Sequence, residues 1–368
     1  MHQSGTIFTG VDCIKSLEHF FSQEVKRYSG IFILTDTNSR MHCLPLLMGQ
    51  FKFPEDTKFL ETEPGEQNKN LQVCTKVWQE LAALGADRYS LLICLGGGVV
   101  CDLGGFVAST YQRGIDFIFF PTTLLAQVDA AIGGKTGVNL GKLKNYVGLF
   151  SPPNAVYIMT SFLQTLPYVE LLSGYAEVVK HSLLSSEKYY HQLVLQFPDI
   201  NAIQSTSNWE TVVERSVKIK NNVVQSDPYE KGLRKVLNLG HTAGHAFESY
   251  ALAHYGKPLP HGFAVAMGLI VELDLSVIHC GFDPKLASEI SDYLLSVFPF
   301  YAFASDKIPE ITQLMGFDKK NKAGAIQMTL IKKPGDLITD VACSHETIEK
   351  SLIEYLSKGN SFGFAKTF

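Results

Sequence analysis

Short apolar runs and helical periodicities alternate through the first part of the chain. Ile31–Asp36 ("IFILTD") is β-branched and aromatic and ends in an acid, the pattern of a buried strand. Residues 70–86 place apolar side chains at helical spacing, which predicts an amphipathic helix. "SLLICL" (90–95), "DFIFFP" (Asp116–Pro121) and "AVYIM" (155–159) read as further strands. Strands separated by helical stretches are the rhythm of a parallel sheet covered on both faces. After "TSFLQTLP" the strand signal fades, and from about Tyr168 the apolar positions recur at helical spacing; one later piece, "GAIQMTLI" (324–331), reads as extended. The pattern predicts an α/β N-terminal domain with a parallel sheet over residues 1–166 and a mainly α-helical C-terminal domain over 167–368. No repeat, low-complexity tract or Pro/Ser-rich linker divides them, so a shared cleft is expected.

Composition narrows the function without naming it. A chain of 368 residues has room for two cores, since single cores seldom grow past roughly 250–300 residues. Apolar residues at 46% and charged residues at 18% belong to a folded enzyme rather than a disordered chain. A net charge of −4 argues against nucleic acid as a partner. The opening "MHQSGTIFTG" lacks a basic stretch followed by an apolar core, and no uninterrupted apolar run reaches 18 residues. A cytoplasmic protein with no membrane partner is expected. Seven cysteines, an odd number without a C-x-x-C pair, predict reduced and mostly buried thiols.

Three groups of residues carry chemistry. In "LGGGVVCDLGGF" a buried strand runs into Gly96, Gly97 and Gly98 before a helix that starts near Val99. Glycines there let backbone approach a pyrophosphate, and the helix N-terminus offers N–H groups to negative charge, as in a Rossmann-like fold. The spacing is not G-x-G-x-x-G, so a purely structural turn stays open. Asp102, one turn on, could reach a ribose or a nicotinamide amide, or cap a local turn. "LTDTN" adds Asp36 and Asn38, and "PGEQNK" adds Glu66 and Lys69. The second group, "PTTLLAQVDAAIGGKTGVNLGKLKN", holds Thr122, Thr123, Asp129, Lys135, Lys144 and Asn145. Lysines on such a glycine-rich stretch suit a phosphate or carboxylate cradle.

The third group lies in the helical half: Glu177 and Lys180 in "SGYAEVVKH", then Lys220, Glu230, Arg234, Asn238, His241 and His245, and His261 in "HGFAVAMG". Glu177 and Lys180 are i and i+3, a spacing that by itself fits a surface ion pair. A carboxylate with two neutral imidazoles suits zinc with open coordination positions. On spacing alone, His241 and His245 (i, i+4) would both be ligands.

Taken together, "GGGVVCDLGGFVASTYQRGIDFIFFPTTLLAQVDAAIGGKTGVN", "SGYAEVVKH", "GLRKVLNLGHTAGHAFE" and "HGFAVAMG" closely resemble the 3-dehydroquinate synthase family, over about residues 35–321. The resemblance implies a shikimate-pathway reaction on a small anionic sugar-acid phosphate, 3-deoxy-D-arabino-heptulosonate 7-phosphate. Its steps would be transient oxidation, phosphate elimination, re-reduction and intramolecular aldol closure. It implies NAD at Asp36, Asn38, Glu66, Lys69, Gly97, Gly98, Val99, Asp102, Thr122 and Thr123, with Lys135, Lys144, Thr165 and Glu170 completing the set. It implies zinc or cobalt on Glu177, His241 and His261. His245 then faces the substrate phosphate, together with Lys135, Asn145, Asn238 and a lysine of "DKKN", Lys320 in preference to Lys319. Asp129, Lys180, Lys220, Glu230 and Arg234 hold hydroxyls and carboxylate, and Arg113 comes from the neighbouring subunit of a homodimer.

One departure stands out. Where the family commonly has His-Gly-Glu, this chain reads His261-Gly262-Phe263. An aromatic ring cannot accept a hydrogen bond as a carboxylate does, so the support of His261 is expected to be built differently. A sugar-phosphate cyclase of another kind, such as 2-deoxy-scyllo-inosose synthase, is the nearest alternative, but Arg234, Asn238 and His245 together fit the dehydroquinate pattern better. A metal-dependent alcohol dehydrogenase would share the Gly-Gly-Gly turn and leave "GGKTGVN" unexplained.

Overall fold

The computed structural model describes residues 5–141, 143–206, 208–256, 259–316 and 325–361. The chain divides into two compact units, Met1–Leu171 with Ser207–Asn221, and Leu172–Thr206 with Asn222–Phe368. The first unit therefore takes back a piece of chain from within the helical half, which a single boundary at residue 166 does not describe.

The first unit contains β1 (Thr6–Phe8), β2 (Ile31–Asp36), β3 (Lys58–Thr62), β4 (Leu91–Gly96), β5 (Asp116–Pro121), β6 (Lys135–Leu140), β7 (Leu143–Phe150) and β8 (Ala155–Tyr157). Six of these form one all-parallel sheet in the order β1-β8-β5-β4-β2-β3. The first five residues of β2 and all of β4 are buried, which explains their unbroken apolar sequence. Ile33, Ile93, Leu95, Phe120 and Phe162 belong to the core packed on one side. After β3 the chain crosses back over β2 to lay down β4, so the direction of strand addition reverses between β2 and β4. In parallel α/β sheets the carboxyl ends of strands at such a reversal are where ligands bind. Asp36 and Gly96 end those two strands.

Several boundaries differ from the sequence expectation for local reasons. The helix over 70–86 runs Leu71–Ala83: Asn70 caps its start by accepting from the Val73 N–H at 3.0 Å, and Gly85 at φ +82° turns the chain away. Part of the glycine-rich stretch 121–145 forms β6, which pairs antiparallel with β7. Gly137 and Gly148 serve close backbone approach, since a Cβ on Gly148 would stand 2.4 Å from the Thr136 carbonyl oxygen. β1 and β3 carried no readable signal, one being three residues long and the other a polar edge.

Among the described residues the second unit is helical apart from one hairpin, β9 (Ile326–Lys333) with β10 (Asp336–Cys343). β9 was expected; β10 was not, because a register shift between Ile338 and Val341, with Asp340 at φ +58°, breaks the alternation that marks a strand. Among the described residues the helix His261–Cys280 alone is long and apolar enough to cross a membrane by composition, and 72% of that window is buried within the fold. All seven cysteines are free thiols, six of them buried.

Candidate functional site

In the first unit, polar side chains gather near the carboxyl ends of the central strands. Lys69 is buried, and its Nζ lies 3.1 Å from Asp102 Oδ2, 3.2 Å from Glu66 Oε1 and 2.6 Å from Asn145 Oδ1. Burial alone would lower the Lys69 ammonium, but Asp102 and Glu66 hold it above its ordinary value. Burial also pushes Asp102 up, to about 6, and Lys69 only partly offsets this. The two partners differ: at Lys69, which also faces Glu66, the ion pairs outweigh burial, whereas at Asp102 burial outweighs the pair.

Asn139 was missed in the sequence and joins this network. Its Nδ2 donates to Glu66 Oε1 at 2.8 Å, and its Oδ1 accepts from the Asn145 N–H at 2.8 Å, which fastens the β6–β7 hairpin to the Lys69 cluster. Asn145 holds φ +51° there, and its Oδ1 accepts from Lys69. Gly97 precedes the helix Gly98–Thr110 and gives it no side-chain cap. A Cβ on Gly97 would meet Thr123 Cγ2 at 3.0 Å, so backbone and threonine stand as close as glycine allows. Lys220, also buried, lies 2.6 Å from Asp129 Oδ1 and donates to the Asp129 carbonyl at 2.6 Å.

Other expected residues lie less centrally. Asp36 spends one carboxylate oxygen on a capping box with Ser39, a structural task for that atom. Val99 lies in the first turn of Gly98–Thr110 and Thr122 is buried just past β5. Asn38, Lys135, Lys144, Thr165 and Glu170 are exposed. Arg113 is exposed at φ +72° beside Gln112 at φ +49°. Lys319 and Lys320 lie outside the described residues.

In the second unit, Glu177, His241 and His261 bring one donor atom each to within 4.8 Å of one another. Glu177 Oε1 is 3.5 Å from His241 Nε2 and 3.6 Å from His261 Nε2. His245 groups instead with Glu248 and His261. Burial and the nearby Lys180 push His241 well below the ordinary imidazole value despite Glu177, so the ring is neutral. Its Nδ1 lies 3.1 Å from the Leu239 carbonyl, which can only accept, so the proton sits on Nδ1 and Nε2 turns a lone pair toward Glu177. Two acceptors facing each other at this distance fit a cation held between them. His261 shifts in the opposite direction: burial would lower it, but Glu177 and Glu248 raise it to about 10, so two carboxylates favour positive charge at this position. The donor set, a carboxylate and two imidazoles, suits a divalent transition ion.

Glu248 supplies what Phe263 does not. Its Oε1 lies 3.5 Å from His261 Nδ1, while the Phe263 ring is buried against Phe298. The signal was present in "HTAGHAFE", because residues 241, 245 and 248 follow i, i+4, i+7 on one helical face. Lys180 pairs with Glu177 and donates to the Leu237 carbonyl at 2.9 Å. Asn238 Nδ2 donates to Glu230 Oε1 at 3.1 Å, and the buried Arg234 donates through Nη1 to the Pro228 carbonyl at 2.7 Å.

Glycines bring the two histidine helices together. The helices His241–Tyr255 and His261–Cys280 meet at Gly240, Gly244 and Gly268; a Cβ on Gly244 would lie 2.9 Å from the Ala264 carbonyl oxygen. The glycine before each histidine of "GHTAGH" is therefore a packing requirement, and it is what lets His241 approach His261.

Comparison with known proteins agrees with this chemistry. A family model described as 3-dehydroquinate synthase N-terminal matches residues 59–173, and one described as 3-dehydroquinate synthase C-terminal matches residues 174–321. The chain is 42% identical over 344 residues to a 3-dehydroquinate synthase of Parabacteroides distasonis, covering 94% of this chain and 96% of that one. It is 49% identical over 226 residues to one of Pyrococcus abyssi, covering 61% and 65%. A solved 2-deoxy-scyllo-inosose synthase, complexed with carbaglucose-6-phosphate, NAD+ and Co2+, superposes with a TM-score of 0.81 at 25% identity over 95% of this chain and 96% of that one. The 2-epi-5-epi-valiolone synthase of Streptomyces hygroscopicus, with NAD+ and Zn2+ bound, shares the fold at a TM-score of 0.81 and 22% identity over 97% and 98%.

Proposed function

The chain belongs to the 3-dehydroquinate synthase family, and on that premise we propose that it converts 3-deoxy-D-arabino-heptulosonate 7-phosphate to 3-dehydroquinate and phosphate. The observation that carries this reading is the convergence of Glu177, His241 and His261 in a chain that also builds the Lys69–Asp102 network. When bound, NAD supplies a reversible hydride acceptor and a zinc or cobalt ion a Lewis acid for the hydroxyl that is oxidised. Glu177, His241 and His261 would hold the ion. Gly97, Gly98, Thr122, Thr123, Glu66, Lys69 and Asp102 would hold the dinucleotide, with Gly97 and Gly98 giving its pyrophosphate room at a helix N-terminus.

The remaining residues bind and orient. The Asp129–Lys220 pair and Lys180 present a carboxylate and ammonium groups suited to sugar hydroxyls, and the Glu230–Asn238 pair offers an acceptor and a donor. Arg234 suits the substrate carboxylate, since a guanidinium binds a planar anion in two places. His245 and Lys135 would hold the phosphate. Loss of phosphate needs a proton acceptor, and the leaving phosphate can fill that role, so none of these side chains has to be a strong base. Placement and charge stabilisation are then the main contributions of the protein. In this reading the chain works as a homodimer, with Arg113 reaching the neighbouring subunit.

Incubation with the heptulosonate phosphate, NAD and zinc, followed by product identification, tests the proposal. Formation of 3-dehydroquinate is expected. Turnover only of a sugar phosphate without a carboxylate would transfer the chain to the inosose synthase type.

A further inference from the structure

The helix that carries His241 begins without a cap of its own. It runs His241–Tyr255, and its preceding residue is Gly240 at φ +80°, which has no side chain to accept the first N–H groups. A helix start leaves four such donors, and inside a protein each must find an acceptor. Here the acceptor comes from another helix. Glu272, fully buried near the middle of His261–Cys280, accepts from the backbone N–H of Gly240, from Thr242 at 3.1 Å and from Ala243 at 3.2 Å.

His241 sits between those anchored positions, on the first residue of the helix. The same helix that provides Glu272 begins with His261. A single carboxyl group thus clamps the start of one histidine helix to the body of the other. The glycine packing sets how near the helices come, but it leaves the rotation and fraying of the first turn to the cap.

We propose that Glu272 is a positioning residue for the metal centre: by holding the N–H groups on both sides of His241, it fixes the direction in which that imidazole meets Glu177 and His261. Both carboxyl oxygens accept in this arrangement, Oε2 from Gly240 and Oε1 from Thr242 and Ala243. A carboxylate there also places an anion at a helix N-terminus, where negative charge is favoured. The sequence offers one hint, a glutamate inside the apolar run "AVAMGLIVELDLS", where a buried acid requires partners.

The inference rests on the metal reading of Glu177, His241 and His261. Its test compares the parent chain with Glu272→Gln and Glu272→Ala, measuring zinc affinity by chelator competition and the visible spectrum of the Co2+-loaded protein. Far-UV circular dichroism of the whole chain serves as the control for folding. Loss of a residue supporting a metal ligand typically weakens affinity about 10–100-fold. Glu272→Ala should fall in that range with an altered Co2+ spectrum, and Glu272→Gln, which keeps one oxygen, should recover part of the loss. If the alanine variant fails to fold, the glutamine variant decides alone, through any weakening beyond about threefold. Parental affinity and spectrum in every folded variant, whatever happens to Tm, would overturn the proposal. A parent chain that binds no divalent ion would overturn the metal reading as well.

Discussion

A methyl group added to Gly268 would lie 2.0 Å from the carbonyl oxygen of Gly240 and 2.7 Å from the backbone nitrogen of Gly244. No rotamer relieves this, because both neighbours are backbone. Gly268→Ala should therefore force the histidine helices apart, with a cost of about 3 kcal/mol or more at an overpacked site. Thermal unfolding should show a lower Tm, and the folded fraction should bind zinc more weakly. A variant with parental Tm and metal affinity would show that the close approach is not required.

The two histidines of "GHTAGH" should separate in function. His241→Ala is expected to abolish zinc binding measured by equilibrium dialysis. His245→Ala should retain the ion and lose most turnover. Equal metal loss in both would restore the plain i, i+4 reading of the sequence.

Acid should weaken dinucleotide binding through Asp102. Its carboxyl is held at about 6, above the ordinary 3.8, facing Lys69, Glu66 and Lys220. A raised folded value means that its contribution to stability is full below about 4 and is lost as pH rises through about 6, the reverse of a typical ion-paired aspartate. For binding the direction differs. Below pH 6 Asp102 is neutral, and Lys69 loses its closest anionic partner. The affinity for NAD, titrated by fluorescence from pH 5 to 8, should fall as pH drops through about 6, and Asp102→Asn should flatten that step. An identical step in the variant would assign it to another group.

Burial and period were the features most legible in the sequence. β2 and β5 match their expected ranges because both lie deep in a parallel sheet, where apolar runs have no competing explanation. Glu177, His241 and His261 were reached through the family resemblance, whereas spacing alone favoured His241 with His245. Contacts between distant segments were the least legible: Asn139 on Glu66 and Glu272 on Gly240 depend on packing that no local pattern encodes. The β6–β7 hairpin was hidden for another reason. Its glycines resemble a loop, although Gly137 and Gly148 are needed where two backbones nearly touch.

Recycling of the hydride carrier is the central claim, and one measurement reads it directly. Heptulosonate phosphate is supplied in large excess over NAD, with zinc present, and inorganic phosphate and absorbance at the NADH band are recorded together. Many phosphates released per NAD with no net NADH is the predicted result. NADH rising in step with turnover, without phosphate, would contradict it.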